Sequence, residues 1–359
     1  MKEISGGLKM RKYFLCYLAV ILILTACLSG CRGGSTTKTD SPTVYTAGQY
    51  RKGETHIACY WKGDTLHPLP SDSYSSSGRS IYVYGGTVYT AGSYSKGMTP
   101  IACYWEGETL YSLPGSGDYS AFAESIYVYE GTVYTAGRYY DGKKNIPCYW
   151  KGETLHSLRG DDNYHAFAKS IYVYEGKVYT AGHYYDGTKD IPCYWEGETL
   201  HSLQGDGDYD AYAESIYVYE GTVYTAGYYY DGTKDIPCYW EREGETETLY
   251  PLSVEDDVDA YTESIYVYGG TVYTAGYYYT GEKGVPCYWE GKTLHSLPVD
   301  GDYDAAYATS IYVYGGKVYT AGYYGGQLTP VPCYWKGDAL HILPAGDDNS
   351  AYAYAIFVQ

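Results

Sequence analysis

A unit repeated seven times constrains this chain more than any other feature of its sequence. The pentapeptide Val-Tyr-Thr-Ala-Gly begins at seven positions, 44 to 49 residues apart: Val44, Val88, Val133, Val178, Val223, Val272 and Val318. A Cys-Tyr-Trp tripeptide recurs in step with it and contains all 7 Trp residues of the chain. Self-similarity at a period of about 45 residues is typical of solenoids and propellers, in which each unit buries its apolar face against its neighbours.

The fourth unit distinguishes between these two architectures. It contains four short β-rich runs bounded by Gly, Asp or Pro: 171–174, 177–184, 191–195 and 198–203. Residues 204–215 are then expected to form a loop that leads into the next unit. Four such runs predict one four-stranded antiparallel sheet, and no segment has the apolar period of a helix. The 54 Tyr and 45 Gly residues agree with this all-β composition. The sequence therefore predicts a seven-bladed β-propeller over residues 43–359.

The two ends of the repeat array predict how such a ring would close. Each later unit opens with Ile-Tyr-Val-Tyr, whereas the first unit has no such run before Val44. The chain ends with the related segment Ala355-Ile-Phe-Val-Gln359. We therefore expect the C-terminal strand to join the N-terminal blade, because this pairing would leave no open edge between the first and last units.

The repeat resembles propeller repeats in general and kelch-type repeats loosely, since kelch units also carry a Gly doublet, Tyr and Trp. The doublets here, Gly85-Gly86, Gly269-Gly270 and Gly315-Gly316, fall between the first and second predicted strands. In kelch repeats the doublet ends the second strand. The resemblance therefore implies an architecture for residues 43–359 and no particular chemistry.

The N-terminal segment predicts export. Lys9, Arg11 and Lys12 precede an apolar run over 13–26, which is too short to span a bilayer comfortably. Basic residues before such a run are typical of a secretory signal peptide. Small polar residues follow over 32–42 and predict a flexible tether.

Two short segments near the end of the apolar run resemble the lipobox of bacterial lipoproteins: Leu24-Thr-Ala-Cys27 and Leu28-Ser-Gly-Cys31. The resemblance implies a signal peptide over residues 1–31, lipidation of Cys27 or Cys31, and a membrane anchor through the lipid. The protein is then expected in a bacterial cell envelope, either exposed at the surface or in the periplasm.

Variable loops on one side of the predicted disc indicate a binding surface, since a rigid scaffold with variable loops commonly carries recognition. The residue after each pentapeptide also varies between units, and His183, Tyr228 and Tyr277 occupy three of these positions. Tyr is a preferred contact residue for proteins, and its ring also stacks on sugars. The predicted ligand-binding residues are Tyr139, Tyr140, Asp141, His183, Tyr184, Tyr185, Asp186, Tyr228, Tyr229, Asp231, Tyr277 and Tyr278.

Charge and motif content limit the function classes. A formal charge of −18 disfavours nucleic acid as a partner. We find no nucleophile with its base and no singular carboxylate pair, so the interpretation is a monomeric module without cofactor that binds a protein or a glycan. A polysaccharide-acting glycosidase or lyase on the same scaffold is the alternative, and a purely structural envelope component is a third possibility.

Two further patterns have ordinary structural interpretations. Asp206, Asp208 and Asp210 alternate as in calcium loops, but the sixth and twelfth positions hold Ala211 and Tyr217 rather than Gly and Glu. Turn formation by Asp and Gly is therefore favoured over a calcium site, and no metal site is predicted. The body contains seven cysteines, equivalent by repeat, which are expected to be buried thiols beside the tryptophans.

Overall fold

A computed structural model describes residues 41–71, 75–160, 164–205, 207–254, 258–301, 303–326 and 329–359. The predicted signal peptide, both candidate lipidation sites Cys27 and Cys31, and most of the predicted tether lie outside the described residues. Within the described ranges, no helix has the length and apolarity needed to cross a bilayer.

The described chain contains 28 β-strands. The first fifteen are β1 (Val44–Lys52), β2 (Thr55–Lys62), β3 (Thr65–Pro68), β4 (Ser76–Tyr84), β5 (Thr87–Lys96), β6 (Thr99–Glu106), β7 (Thr109–Ser112), β8 (Ala121–Tyr129), β9 (Thr132–Tyr140), β10 (Asn145–Lys151), β11 (Thr154–Ser157), β12 (Ala166–Tyr174), β13 (Lys177–Tyr185), β14 (Asp190–Glu196) and β15 (Thr199–Ser202). The others are β16 (Ala211–Tyr219), β17 (Thr222–Tyr230), β18 (Asp235–Glu243), β19 (Thr246–Pro251), β20 (Ala260–Tyr268), β21 (Thr271–Thr280), β22 (Lys283–Glu290), β23 (Thr293–Ser296), β24 (Ala305–Tyr314), β25 (Lys317–Gly326), β26 (Thr329–Lys336), β27 (Ala339–Ile342) and β28 (Ala351–Val358).

The strands form repeated four-stranded antiparallel sheets, which confirms the predicted all-β repeat. Five sheets have four strands each, and one sheet of eight strands contains β20 to β27. The eight-stranded sheet consists of two antiparallel groups of four, joined by a single parallel bridge between Gly284 and Ala305. By backbone hydrogen bonding the described residues therefore form six sheets. The C-terminal strand β28 pairs with the N-terminal strand β1, as the ends of the repeat array predicted.

The first strand of each unit is longer than the sequence predicted. In the fourth unit it begins at Ala166, five residues before Ile171, and in the fifth at Ala211, inside the segment predicted as a loop. Ala has a low strand propensity, which explains the wrong boundary. These alanines are nevertheless almost fully buried, because only a small side chain fits at those positions between packed sheets.

A β-bulge interrupts the first strand of every unit. In β12 the residue pairs Ala168–Gly182 and Ser170–Ala181 are successive, so Lys169 has no partner opposite it. The glycine of the pentapeptide permits this geometry, because a Cβ atom at Gly182 would lie 1.8 Å from the carbonyl oxygen of Phe167. The same shift occurs in the first strands of the other units. A bulge leaves one residue out of the ladder and redirects its side chain.

The seven tryptophans connect successive units. Each indole is buried, and its Nε1 donates a hydrogen bond to a backbone carbonyl after the fourth strand of the preceding unit. Trp61 of the first unit donates to Pro344, which follows the fourth strand of the last unit, at 2.8 Å. The seven cysteines beside these tryptophans are buried and free.

Seven aromatic rings, one from each first strand, contact one another in a closed cycle. The members are Tyr82, Tyr127, Tyr172, Tyr217, Tyr266, Tyr312 and Phe357. Neighbouring ring centroids are 4.7 to 5.0 Å apart. Phe357 closes the cycle by contacting both Tyr312 and Tyr82 at 5.0 Å. Aromatic pairs at this spacing contribute stability beyond the area they bury.

Candidate functional site

The bulges bring seven side chains of five residue types together at one cavity of about 520 Å³. We call them the bulge residues: Arg79, Glu124, Lys169, Glu214, Glu263, Thr309 and Tyr354. Each lies three residues before a member of the aromatic cycle on the same strand. The backbone geometry is the same in every unit, but the side chain at the bulge position differs between units. Units of nearly identical structure therefore form one asymmetric site.

Two of the charges at this cavity are directly paired. Lys169 Nζ lies 3.1 Å from Glu214 Oε2. Burial opposes the charge on Lys169, but the carboxylates of Glu214 and Glu124 outweigh it and raise the pKa of Lys169. Glu124 also accepts a hydrogen bond from Arg138, which follows the third pentapeptide.

One carboxyl group of the cavity, that of Glu263, has a raised pKa. Burial, with a smaller contribution from the neighbouring carboxylate of Glu214, raises its pKa to about 7, and Lys169 offsets part of this rise. At neutral pH the cavity therefore holds one carboxyl group that is partly protonated beside another that is paired with Lys169. The protonated carboxyl group of Glu263 can donate a hydrogen bond, whereas the ionised carboxylate can only accept hydrogen bonds.

Tyrosines form one wall of the bulge cavity and continue beyond it. A second cavity of about 510 Å³ is lined by Glu282, Asp304 and several tyrosines, and we call it the side cavity. The two cavities share Tyr279, Tyr307 and Tyr323. The Tyr307 and Tyr323 ring centroids are 5.3 Å apart. Together the cavities offer adjoining spaces of a size that suits small ligands.

The structure places the sequence-predicted binding residues in three different environments. The first group packs within the sheets: Tyr139, Tyr184 and Tyr278 each pair their hydroxyl with a serine of the fourth strand, at 3.0, 3.1 and 3.0 Å. Tyr229 is the equivalent residue of the fifth unit and packs against that unit's apolar cluster. These rings do not line either cavity.

The second group lies at the loops between the second and third strands. Asp141, Asp186 and Asp231 each accept backbone hydrogen bonds from residues two and three positions later. The hydroxyl groups of Thr188 and Thr233 also donate to Asp186 and Asp231 and contribute most to lowering the pKa of these two carboxyl groups, whereas the backbone bonds contribute most at Asp141. The contacts are those of ordinary Asp turns. Tyr140 and Tyr185 pack edge-on against Tyr119 and Tyr164 of the preceding loops.

The third group belongs to the surroundings of the bulge cavity. Tyr277 lines it, and the ring of Tyr228 contacts Tyr261 at 4.8 Å. His183 is buried between Phe167 and Tyr212, each 4.9 Å away. Burial, together with the charges of Lys169 and Arg138, lowers the pKa of His183 to about 3, so this imidazole is neutral at pH 7.

The predicted Asp-rich turns show capping contacts in the part of the chain that is described. Asp206 and Asp302 lie outside the described residues. Asp210 accepts a hydrogen bond from the backbone N–H of Asp190 at 2.8 Å. Among the described residues no group of three or more His, Cys, Asp and Glu side chains is arranged to hold a metal ion.

Sequence reasoning missed the bulge residues. None of them is among the sequence-predicted site residues, although the sequence contains one signal that distinguishes them. The residue two positions before each Ile-Tyr-Val or Ile-Phe-Val is Arg, Glu, Lys, Glu, Glu, Thr and Tyr in successive units, while its neighbours barely change.

Comparison with known proteins gives little further guidance. No family model matches the chain, and no curated protein matches it. Among solved structures, the computationally designed Ika8 protein is 12% identical, with 86% of this chain and 83% of that one covered and a TM-score of 0.42. The structure of YjhT is 10% identical, with 77% and 99% covered and a TM-score of 0.44. Likenesses at this level indicate neither a ligand nor an activity.

Proposed function

We propose that this protein is a closed seven-bladed β-propeller that binds a glycan at the bulge cavity and the adjoining side cavity. The seven bulge residues carry this proposal, because an asymmetric set of charged and aromatic side chains converges there on one open space. We further propose that the protein is exported and anchored to the cell envelope through a lipid on Cys27 or Cys31, as its N-terminal sequence predicts.

The closed ring is supported by contacts that link the last unit to the first. The cycle of seven aromatic rings has no gap, and the tryptophan contacts follow the same cyclic order. Strand β28 pairs with β1. The single bridge between Gly284 and Ala305 that merges two four-stranded groups is compatible with seven blades, because the two groups share no other backbone pairing.

A glycan fits the cavities better than a protein surface does. The site is concave. Aromatic rings and carboxyl groups line both cavities, and cations also line the bulge cavity, so the site does not offer a broad apolar patch. Aromatic rings cover the apolar faces of a sugar, while charged groups pair with its hydroxyls. The wall shared by the two cavities would let a ligand of more than one sugar contact both.

Replacing Tyr279 by Ala is expected to weaken glycan binding about fivefold. Its half-buried ring belongs to both cavities, and a lost aromatic contact is worth about 1 kcal/mol. The purified chain from residue 32 would first be screened on a glycan array, and the affinity for the best ligand measured by calorimetry. Tyr314→Ala is the matched control, since Tyr314 is 43% exposed at the opposite end of a first strand. Equal affinities for both variants, or no glycan bound at all, would contradict the proposal.

A polysaccharide-acting glycosidase or lyase is the second candidate. It is favoured by the pair Glu214 and Glu263, since Glu214 is paired with Lys169 whereas burial raises the pKa of Glu263. Two carboxyl groups in different environments of one cavity can serve as base and acid. Cleavage of any array polysaccharide, seen as new reducing or unsaturated ends and abolished by Glu263→Gln, would support this candidate. Binding without turnover would leave the binding module as the function.

A further inference from the structure

We propose that Arg79 makes the bulge cavity selective for glycans that carry an oxyanion, either the carboxylate of an acidic sugar or a sulfate ester. This inference rests on the proposed glycan-binding function and names the class of ligand that the same site takes. It follows from the pairing of the cations around the cavity.

Three cations surround the cavity, and two of them already have carboxylate partners. Lys169 is paired with Glu214, and Arg138 with Glu124. In the part of the chain that the structure describes, Arg79 has no carboxylate within ion-pair distance, and it is exposed to the cavity. An exposed guanidinium that lines a concave site is a hydrogen-bond donor whose natural partner is an anion from solution.

The position of Arg79 is favourable for recognising an oxyanion. Its guanidinium carbon lies 4.7 Å from the centroid of the Tyr354 ring. The contact is made over the face of the Tyr354 ring, and the N–H groups of a guanidinium lie in its own plane, where they can donate in parallel to two oxygens. Stacking also reduces the side-chain freedom that would be lost on binding.

Arg79 lies next to the aromatic wall on which a sugar ring would stack. Tyr354, the stacking partner of Arg79, lies 6.1 Å from Tyr323 between ring centroids. Tyr323 belongs to both cavities. A sugar against this wall would therefore hold an acidic substituent near the guanidinium. The chain as a whole carries −18, and three glutamates line the same cavity, so the attraction of an anionic ligand to this site depends on the guanidinium of Arg79.

The test uses matched ligands. Uronic-acid oligosaccharides of several kinds are presented beside their methyl esters, and sulfated oligosaccharides beside their desulfated forms, to the purified chain from residue 32. We expect the wild-type protein to prefer at least one charged form over its neutral partner by about ten- to a hundredfold, as a charge-assisted hydrogen bond provides. The ester and sulfate arms distinguish a carboxylate from a sulfate.

Substitution of Arg79 then assigns the preference to this residue. In Arg79→Gln the charged and neutral partners should bind within about twofold of each other. Arg79→Lys should keep part of the preference, because it retains the charge without the planar fork. Arg51→Gln is the control, since Arg51 lies on β1 and its Nε donates to Gly53 at 2.8 Å.

Each outcome bears on the inference separately from the proposed function. Binding of neutral glycans only, or a charge preference that survives Arg79→Gln, would overturn the role of Arg79 and leave glycan binding intact. A protein that binds no glycan would overturn both. Melting curves of the variants identify any loss of fold, and Arg79→Lys gives a second measurement should Arg79→Gln be unstable.

Discussion

A chain that lacks residues 355–359 is expected to unfold or to form oligomers. These residues supply the end of β28, where Ile356 and Val358 are buried and Phe357 closes the aromatic cycle. Burial of three such side chains contributes about 5 kcal/mol or more, which is comparable with the whole stability of a typical domain. The deletion also exposes the backbone edge of β1, and an open edge can pair with another chain.

Circular dichroism on heating and light scattering would measure the two expected outcomes. The control is a chain extended beyond Gln359 by a short polar tail, which keeps the last strand and changes the terminus equally. A synthetic peptide of residues 349–359 should restore a monomeric, folded protein when added to a chain that ends at residue 348, since that chain leaves the whole edge of β1 open to the peptide. A truncated chain that stays monomeric with an unchanged melting temperature would show that the pairing of the C-terminal strand with β1 is not needed for the stability of the fold.

The repeat made most of the fold predictable from the sequence. Val-Tyr-Thr-Ala-Gly and Cys-Tyr-Trp combine β-branched and aromatic residues, and they mark the second and third strands within a residue or two of their observed bounds. The turn between the first and second strands also agrees with its sequence prediction. Glu175 and Gly176, the two residues predicted to form it, both have positive φ, at 50° and 76°. Such a turn matches the twist of a two-residue hairpin. Local propensity and observed structure agree at these positions.

The candidate site could not be predicted in the same way, because it depends on a break in the strand pattern. Around Lys169 the sequence Ala-Lys-Ser interrupts the alternation of buried and exposed residues, since the bulge adds one residue to the strand. A strand is recognised in a sequence by its alternation of apolar and polar residues. The segment in which the alternation is interrupted is therefore predicted as a loop. The convergence of Arg79, Glu214 and Glu263 also depends on how sheets far apart in the sequence pack together, and no local pattern in a single unit indicates this packing.

Replacing Glu263 by Gln is expected to flatten the dependence of stability on pH. The folded protein holds the proton of Glu263 up to about pH 7, whereas the unfolded chain releases it near the ordinary value of 4.5. Between these values the native state binds more protons than the unfolded state, so stability falls as the pH rises from about 4.5 to 7 and then levels off. The loss amounts to up to about 3 kcal/mol at pH 8, and the neutral amide of the Glu263→Gln variant would not incur it.

The charged and titratable groups that face Glu263 determine the size of this effect. Glu214 favours the protonated form and Lys169 opposes it, while Tyr277 and Tyr323 are neutral neighbours across the same cavity. Denaturant unfolding at pH 5, 6, 7 and 8 would compare the variant with Glu198→Gln, an exposed residue between the third and fourth strands of its unit. Parallel curves for the two variants would refute the assignment. If Glu263→Gln is more stable at pH 8, the native carboxyl group is retained at a cost to the fold, as is usual for a residue that serves ligand binding or catalysis.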